Sequence, residues 1–151
     1  MSSRSRRAAG PGSLVQWAAL LVGVAFLLAG VLGMIPGPTT GYDSMTFAGH
    51  DSGAELFGLF QVSVLHNIVH LLFGLAGIAM SRAPGPARAY LIGGGVVYLV
   101  LWLYGLLVDR GTDANFIPVN TPDNWLHFGL GLAMVVLGLL LGRNTPIPRR
   151  R

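Results

Sequence analysis

The residues of this chain best suited to chemistry form two short runs, His66-Asn67-Ile68-Val69-His70 and Asp123-Asn124-Trp125-Leu126-His127. In the first, the i, i+4 spacing puts two imidazoles on one helix face, as in zinc metallopeptidases. Those enzymes carry a glutamate as general base after the first histidine. Here that position is Asn67, an amide that takes up no proton at neutral pH, so the peptidase reading fails. Three other uses remain open. His66 and His70 supply two ligands for zinc, with His127 or Asp123 as a third. Histidines facing each other from two helices of a bundle suit a haem. Ionisable groups inside a membrane also mark proton or small-solute paths. The leading expectation is structural: each Asn amide orients the imidazole of the other run and clamps two helices in register, at ~0.6–2 kcal/mol per bond.

The two runs are related. Asn67 and His70 precede Gly74-Leu75-Ala76 at the same spacing at which Asn124 and His127 precede Gly131-Leu132-Ala133, and Val62 and Val119 each stand five residues before the Asn. This reads as a duplication of a helical hairpin, residues 1–81 and 82–151, in parallel copies about an axis along the membrane normal. On a helical wheel His66, Asn67, His70, Gly74 and Gly77 fall in one stripe ~100° wide, as do Asp123, Asn124, His127 and Gly131. Small residues allow close helix approach and polar groups turn inward. Helices two and four are therefore expected to pack on each other through Gly74, Gly77, Gly131 and Gly138, with His66 and Asp123 paired at the outer mouth. Gly93-Gly94-Gly95, Gly138-x-x-x-Gly142 and Ala25-x-x-x-Ala29 read as further packing sites within the chain.

The elements that must position these residues are membrane spans. Of 151 residues only 11% are charged, ten Arg and six Asp or Glu, while 52% are hydrophobic and the mean hydropathy is +0.61. A soluble domain has about 25% charged residues. The composition argues against a soluble enzyme, a disordered tail and a nucleic-acid binder. Absence of cysteine excludes disulfides, thiolate metal sites and a Cys nucleophile. A bilayer core ~30 Å thick takes ~17–25 apolar residues, and four segments qualify: about 14–35, 64–80, 90–108 and 124–142 within a transmembrane domain 14–142. Arg-rich tails, 1–13 and 143–151, flank it. The first run is longer than the ~7–15 residues of a cleaved signal and reads as a retained span. Nine of the ten Arg fall on one side of these spans, at positions 4, 6, 7, 82, 88, 143 and 149–151, with Arg110 the exception. The acids gather on the other. By the positive-inside rule both termini are cytoplasmic. Residues 53–63 are expected to form an amphipathic stretch at the outer interface, with helix two starting near Val64; a continuous helix from Glu55 is the alternative.

Around residues 65–74, 98–105 and 120–127 the chain resembles the small four-span membrane proteins, common in actinobacteria, catalogued as domain of unknown function 4383. The resemblance covers roughly residues 14–142 and rests mainly on the paired Asn-x-x-His motifs. Ser63-Val64 stand where the second copy carries Asn120 and the helix-starting Pro122. The resemblance implies a four-helix integral protein of the cytoplasmic membrane and no particular activity. The expected protein is thus an all-α four-helix bundle, non-enzymatic, structural or accessory to a larger assembly. Its partners would be the lipid bilayer, other membrane proteins or further copies of itself. A haem- or zinc-binding redox subunit and a small transporter or channel are the alternatives.

Overall fold

A computed structural model describes residues 12–143, so most of both Arg-rich tails lies outside the described residues. Four helices dominate: α1 (Leu14–Leu32), α2 (Val64–Met80), α3 (Pro84–Leu107) and α4 (Thr121–Leu141). Three of them, α1, α3 and α4, are long and apolar enough to cross a membrane. The fourth, α2, has 17 residues, about 26 Å at 1.5 Å per residue and near the lower limit for a span.

The boundaries follow local chemistry. Ser63 is the N-cap of α2, its hydroxyl accepting from His66 N–H at 3.2 Å, and Asn120 caps α4 in the same way through Asp123 N–H at 2.9 Å. Such caps satisfy backbone donors that the first turn leaves free. Helix two thus begins at Val64, not at Glu55. α3 begins six residues before Tyr90, because Pro84 and Pro86 occupy first-turn positions where a proline's missing N–H is no loss. α1 stops at Leu32, short of Ile35, with Gly33 as its C-cap.

Residues 53–63 are not an amphipathic helix. Together with Thr39–Thr40 (β1), Ala54–Leu56 (β2) and Phe60–Val62 (β3) form a three-stranded antiparallel sheet in the order β1-β2-β3. Ala54 and Leu56 are buried and Glu55 lies between them on the other face, the period-two alternation of a half-buried strand. Phe57 and Gly58, with φ of 55° and 65°, reverse the chain between β2 and β3. Ala54, Leu56 and Val62 form a small core with Ala29 and Leu32 of α1, which seats the sheet on the end of that helix.

The helices pair within each hairpin. α1 packs along α2 and α3 along α4, α1 meets α3, and α2 and α4 are not a packed pair. This corrects the expected α2–α4 contact. The stripe glycines do make close approaches, but to the other helix of their own hairpin and, at Gly77, also to Tyr90 of α3. A Cβ on Gly74 would meet Gly23 O at 2.8 Å, and one on Gly131 would meet Gly95 O at 2.9 Å. Gly77 lies against Gly23 and Tyr90, and Gly138 against Leu91 and Ile92. A glycine stripe records close approach without naming the helix that approaches. The main core, with Val15, Ala19, Phe26, Leu91, Tyr98 and Met134, runs between the hairpins.

Candidate functional site

Asn67 is fully buried, and its Nδ2 donates to Gly33 O at 2.8 Å, at the end of α1. Its Oδ1 presses on Gly33 where a Cβ would stand; Asn124 Oδ1 presses on Gly105 of α3 in the same manner. Each Asn therefore locks its own hairpin, and neither orients an imidazole of the other hairpin. The two locks differ in one bond. Gly105 O accepts from Arg110 Nη2 at 3.1 Å, whereas Gly33 O accepts from Asn67 itself. At the opposite end Gln16, the one polar interruption of the first apolar run, donates from Nε2 to Ser81 O at 2.9 Å and ties the start of α1 to the end of α2.

The histidines do converge, by way of α3. His70 Nε2 and Tyr98 Oη share a hydrogen bond of 3.0 Å. The Tyr98 ring meets the His127 ring edge-on at 5.1 Å, His66 and His70 rings lie 4.4 Å apart, and Phe26 of α1 stacks on His70 at 5.5 Å. Tyr98 thus touches histidines of both α2 and α4. Nδ1 of His66 and Nδ1 of His127 are buried with no hydrogen-bond partner among the described residues, a condition that costs ~1–3 kcal/mol per group when nothing satisfies it.

The expected His66–Asp123 pair is not formed. Asp123 Oδ2 accepts from Gln61 N–H of β3 at 2.9 Å and from Asn120 N–H at 3.1 Å, so it joins the sheet to the α4 cap. The expected metal set His66, His70 and His127 is not assembled either: among the described residues no three His, Asp or Glu side chains are placed to hold one ion. His50 is paired with Asp51 at 3.2 Å in the loop before β2, apart from the cluster. Gly138-x-x-x-Gly142 packs on α3, where Gly142 meets Arg88. Ala29 packs under the sheet while Ala25 is exposed.

Two cavities flank the cluster and share His66, His70, Tyr98 and His127 as lining. One, of about 320 Å³, lies between α2 and α3 and is closed by residues 116–118; the other, of about 150 Å³, lies between α1 and α4 under the sheet. Both are otherwise mainly apolar. The groups that sequence reasoning missed are Gly23, Phe26 and Gly33 on α1 and, beside Gly95 of the glycine run, Tyr98 and Gly105 on α3. They recur at identical intervals of three and seven residues, a signal that glycine- and leucine-rich surroundings obscured.

A family model described as domain of unknown function (DUF4383) matches residues 16–140. No curated protein and no solved structure matches the chain. The chain belongs to the DUF4383 family.

Proposed function

We propose that this member of the family is a multi-pass protein of the cytoplasmic membrane, with four spans and both termini inside, acting as a non-enzymatic structural or accessory component. The observation that carries the reading is the matched pair of locks. Gly33 with Asn67 and Gly23 with Gly74 hold the first hairpin; Gly105 with Asn124 and Gly95 with Gly131 hold the second. The α1-to-α3 offset and the α2-to-α4 offset are each constant across these pairs, which supports two parallel copies of one hairpin. In this reading the polar side chains are committed to architecture: Asn67 to α1, Ser63 and Asn120 to helix starts, Asp123 to the sheet and the α4 cap. The outward faces carry Leu21, Leu28, Leu72, Val100, Leu107 and Leu140, all more than half exposed, as lipid contact requires. Arg110, the one basic residue on the acidic side, is tied down by Thr121 Oγ1 at 2.7 Å and Gly105 O. The partners of such a protein are the bilayer and either other membrane proteins or further copies of the chain.

The test uses the absence of native cysteine. Thr112→Cys in the α3–α4 loop and Gly85→Cys in the first turn of α3, exposed positions beyond opposite ends of that helix's apolar run, are labelled with a membrane-impermeant maleimide. In intact cells Thr112→Cys should react and Gly85→Cys should react only after lysis. The reverse pattern, or labelling of both in intact cells, overturns the topology.

A further inference from the structure

The two cavities occupy equivalent places in the two hairpin copies, yet they differ in size and in chemistry. His70 and Val97 line the larger at positions that match His127 and Ala25 in the smaller. At two matched lining positions the polar chemistry changes: Tyr98 stands where α1 has Phe26, and His66 stands where α4 has Asp123. In the smaller cavity Phe26 offers no hydrogen bond and the Asp123 carboxylate is already engaged by Gln61 and Asn120. Tyr98, hydrogen-bonded to the His70 imidazole, and His66 and His127, whose Nδ1 atoms are buried without partners among the described residues, line both cavities. The larger gives them more room, and the Asp123 carboxylate lines the smaller alone. His127 is 4% exposed.

We propose that the larger cavity is a binding site for an uncharged, largely apolar small molecule bearing one hydrogen-bonding oxygen, the shared chemistry of a phenol, an alcohol or a quinone carbonyl. Among the described residues no Asp, Glu, Lys or Arg lines it, and a charged ligand would lose its hydration there without compensation. Its volume of about 320 Å³ falls within the ~300–1,000 Å³ of small-molecule sites, and the smaller one falls below that range. Phe73, Tyr98 and Phe116 are among its lining, aromatic rings that suit a flat guest. Imidazole and phenol together supply both donors and acceptors, so a ligand carbonyl or hydroxyl finds a partner. Val69 and Val97 line the cavity and are 51% and 48% exposed on the apolar flank of the helices, which opens it toward lipid. The inference draws on the two-copy reading above, but its test does not depend on membrane orientation, so either can fail alone.

The test is equilibrium binding of 1-naphthol and of naphthalene, which has the same ring system without the oxygen, to the full chain purified in detergent. Saturable binding of about one equivalent of 1-naphthol is expected, with naphthalene weaker by about tenfold or more because the buried polar groups then go unpaired. Tyr98→Phe should erase most of that preference. Leu101→Trp, or Val97→Phe if the former does not fold, should abolish binding by filling the larger cavity, while Ala25→Phe beside the smaller one should leave it unchanged. Equal affinity for the two probes, or saturable binding that persists with the cavity filled, overturns the proposal.

Discussion

Neighbouring glycines on the same helix face opposite situations, and this gives a prediction in which helix propensity cancels. On α3, a Cβ at Gly93 meets nothing within 4 Å, while a Cβ at Gly95 would lie 2.7 Å from Gly131 O and 2.9 Å from Val135 N. On α4, Gly129 is open and Gly131 would meet Gly95 O at 2.9 Å and Leu99 N at 3.0 Å. The obstructing atoms are mainly backbone, so they yield only if the helices part. Gly→Ala in an open helix position stabilises by ~0.5–1 kcal/mol. At the closed positions the same gain is opposed by an overpacking cost of ~1–3 kcal/mol. Gly93→Ala and Gly129→Ala should therefore raise stability slightly. Gly95→Ala and Gly131→Ala should fall below their neighbours by ~1–3 kcal/mol, the overpacking cost alone. Denaturant unfolding of the detergent-purified chain, followed by circular dichroism, reads each pair directly. Equal stability within either pair would refute the close α3–α4 approach.

Other consequences follow from individual bonds. Asn67→Ala removes the donor to Gly33 O and should destabilise by ~1–3 kcal/mol. Asn124→Ala should cost less in the same unfolding assay, because Gly105 O keeps Arg110. Gln16→Ala breaks the tie to Ser81 O and should lower stability by ~1 kcal/mol, with faster amide exchange localised to the α2–α3 turn. Ser63→Ala should cost ~0.5–2 kcal/mol as a lost cap, whereas Ser63→Asn, which copies the α4 start, should restore nearly all of it; thermal melts compare the two.

Much of this organisation was legible in residue types and spacing, and the failures are physically specific. Helix positions followed from length and apolarity, and the start near Val64 followed from the analogy of the second apolar run with the fourth. The sheet was not legible: strands of two or three residues are too short for alternation to register, and Leu56, Phe57, Leu59 and Phe60 mimic one face of a helix. Convergence of the Asn and His residues on buried positions was legible from their stripe, but the identity of the partner helix was not. A wheel projection assigns a face and leaves its neighbour open. The contributions of Tyr98 and Phe26 were hidden for a related reason, since single aromatics in an apolar helix stand out only when α1 and α3 are aligned with each other.

The central claim is that each hairpin locks on itself through its Asn and Gly residues, with α2 and α4 held apart by α1 and α3. Disulfide trapping in native membranes tests it most directly, on the naturally cysteine-free chain. A Cβ on Gly138 lies 3.1 Å from Leu91 Cβ, close to the ~3.5–4.5 Å between bridged Cβ atoms, and one on Gly30 lies against the Leu71 side chain, 2.9 Å from its Cγ. Leu91→Cys with Gly138→Cys, and Gly30→Cys with Leu71→Cys, should each oxidise to an intramolecular disulfide seen by peptide mass spectrometry. His70→Cys with His127→Cys, across the α2–α4 diagonal, should not. A bridge in the α2–α4 pair with none in the other two would contradict the account.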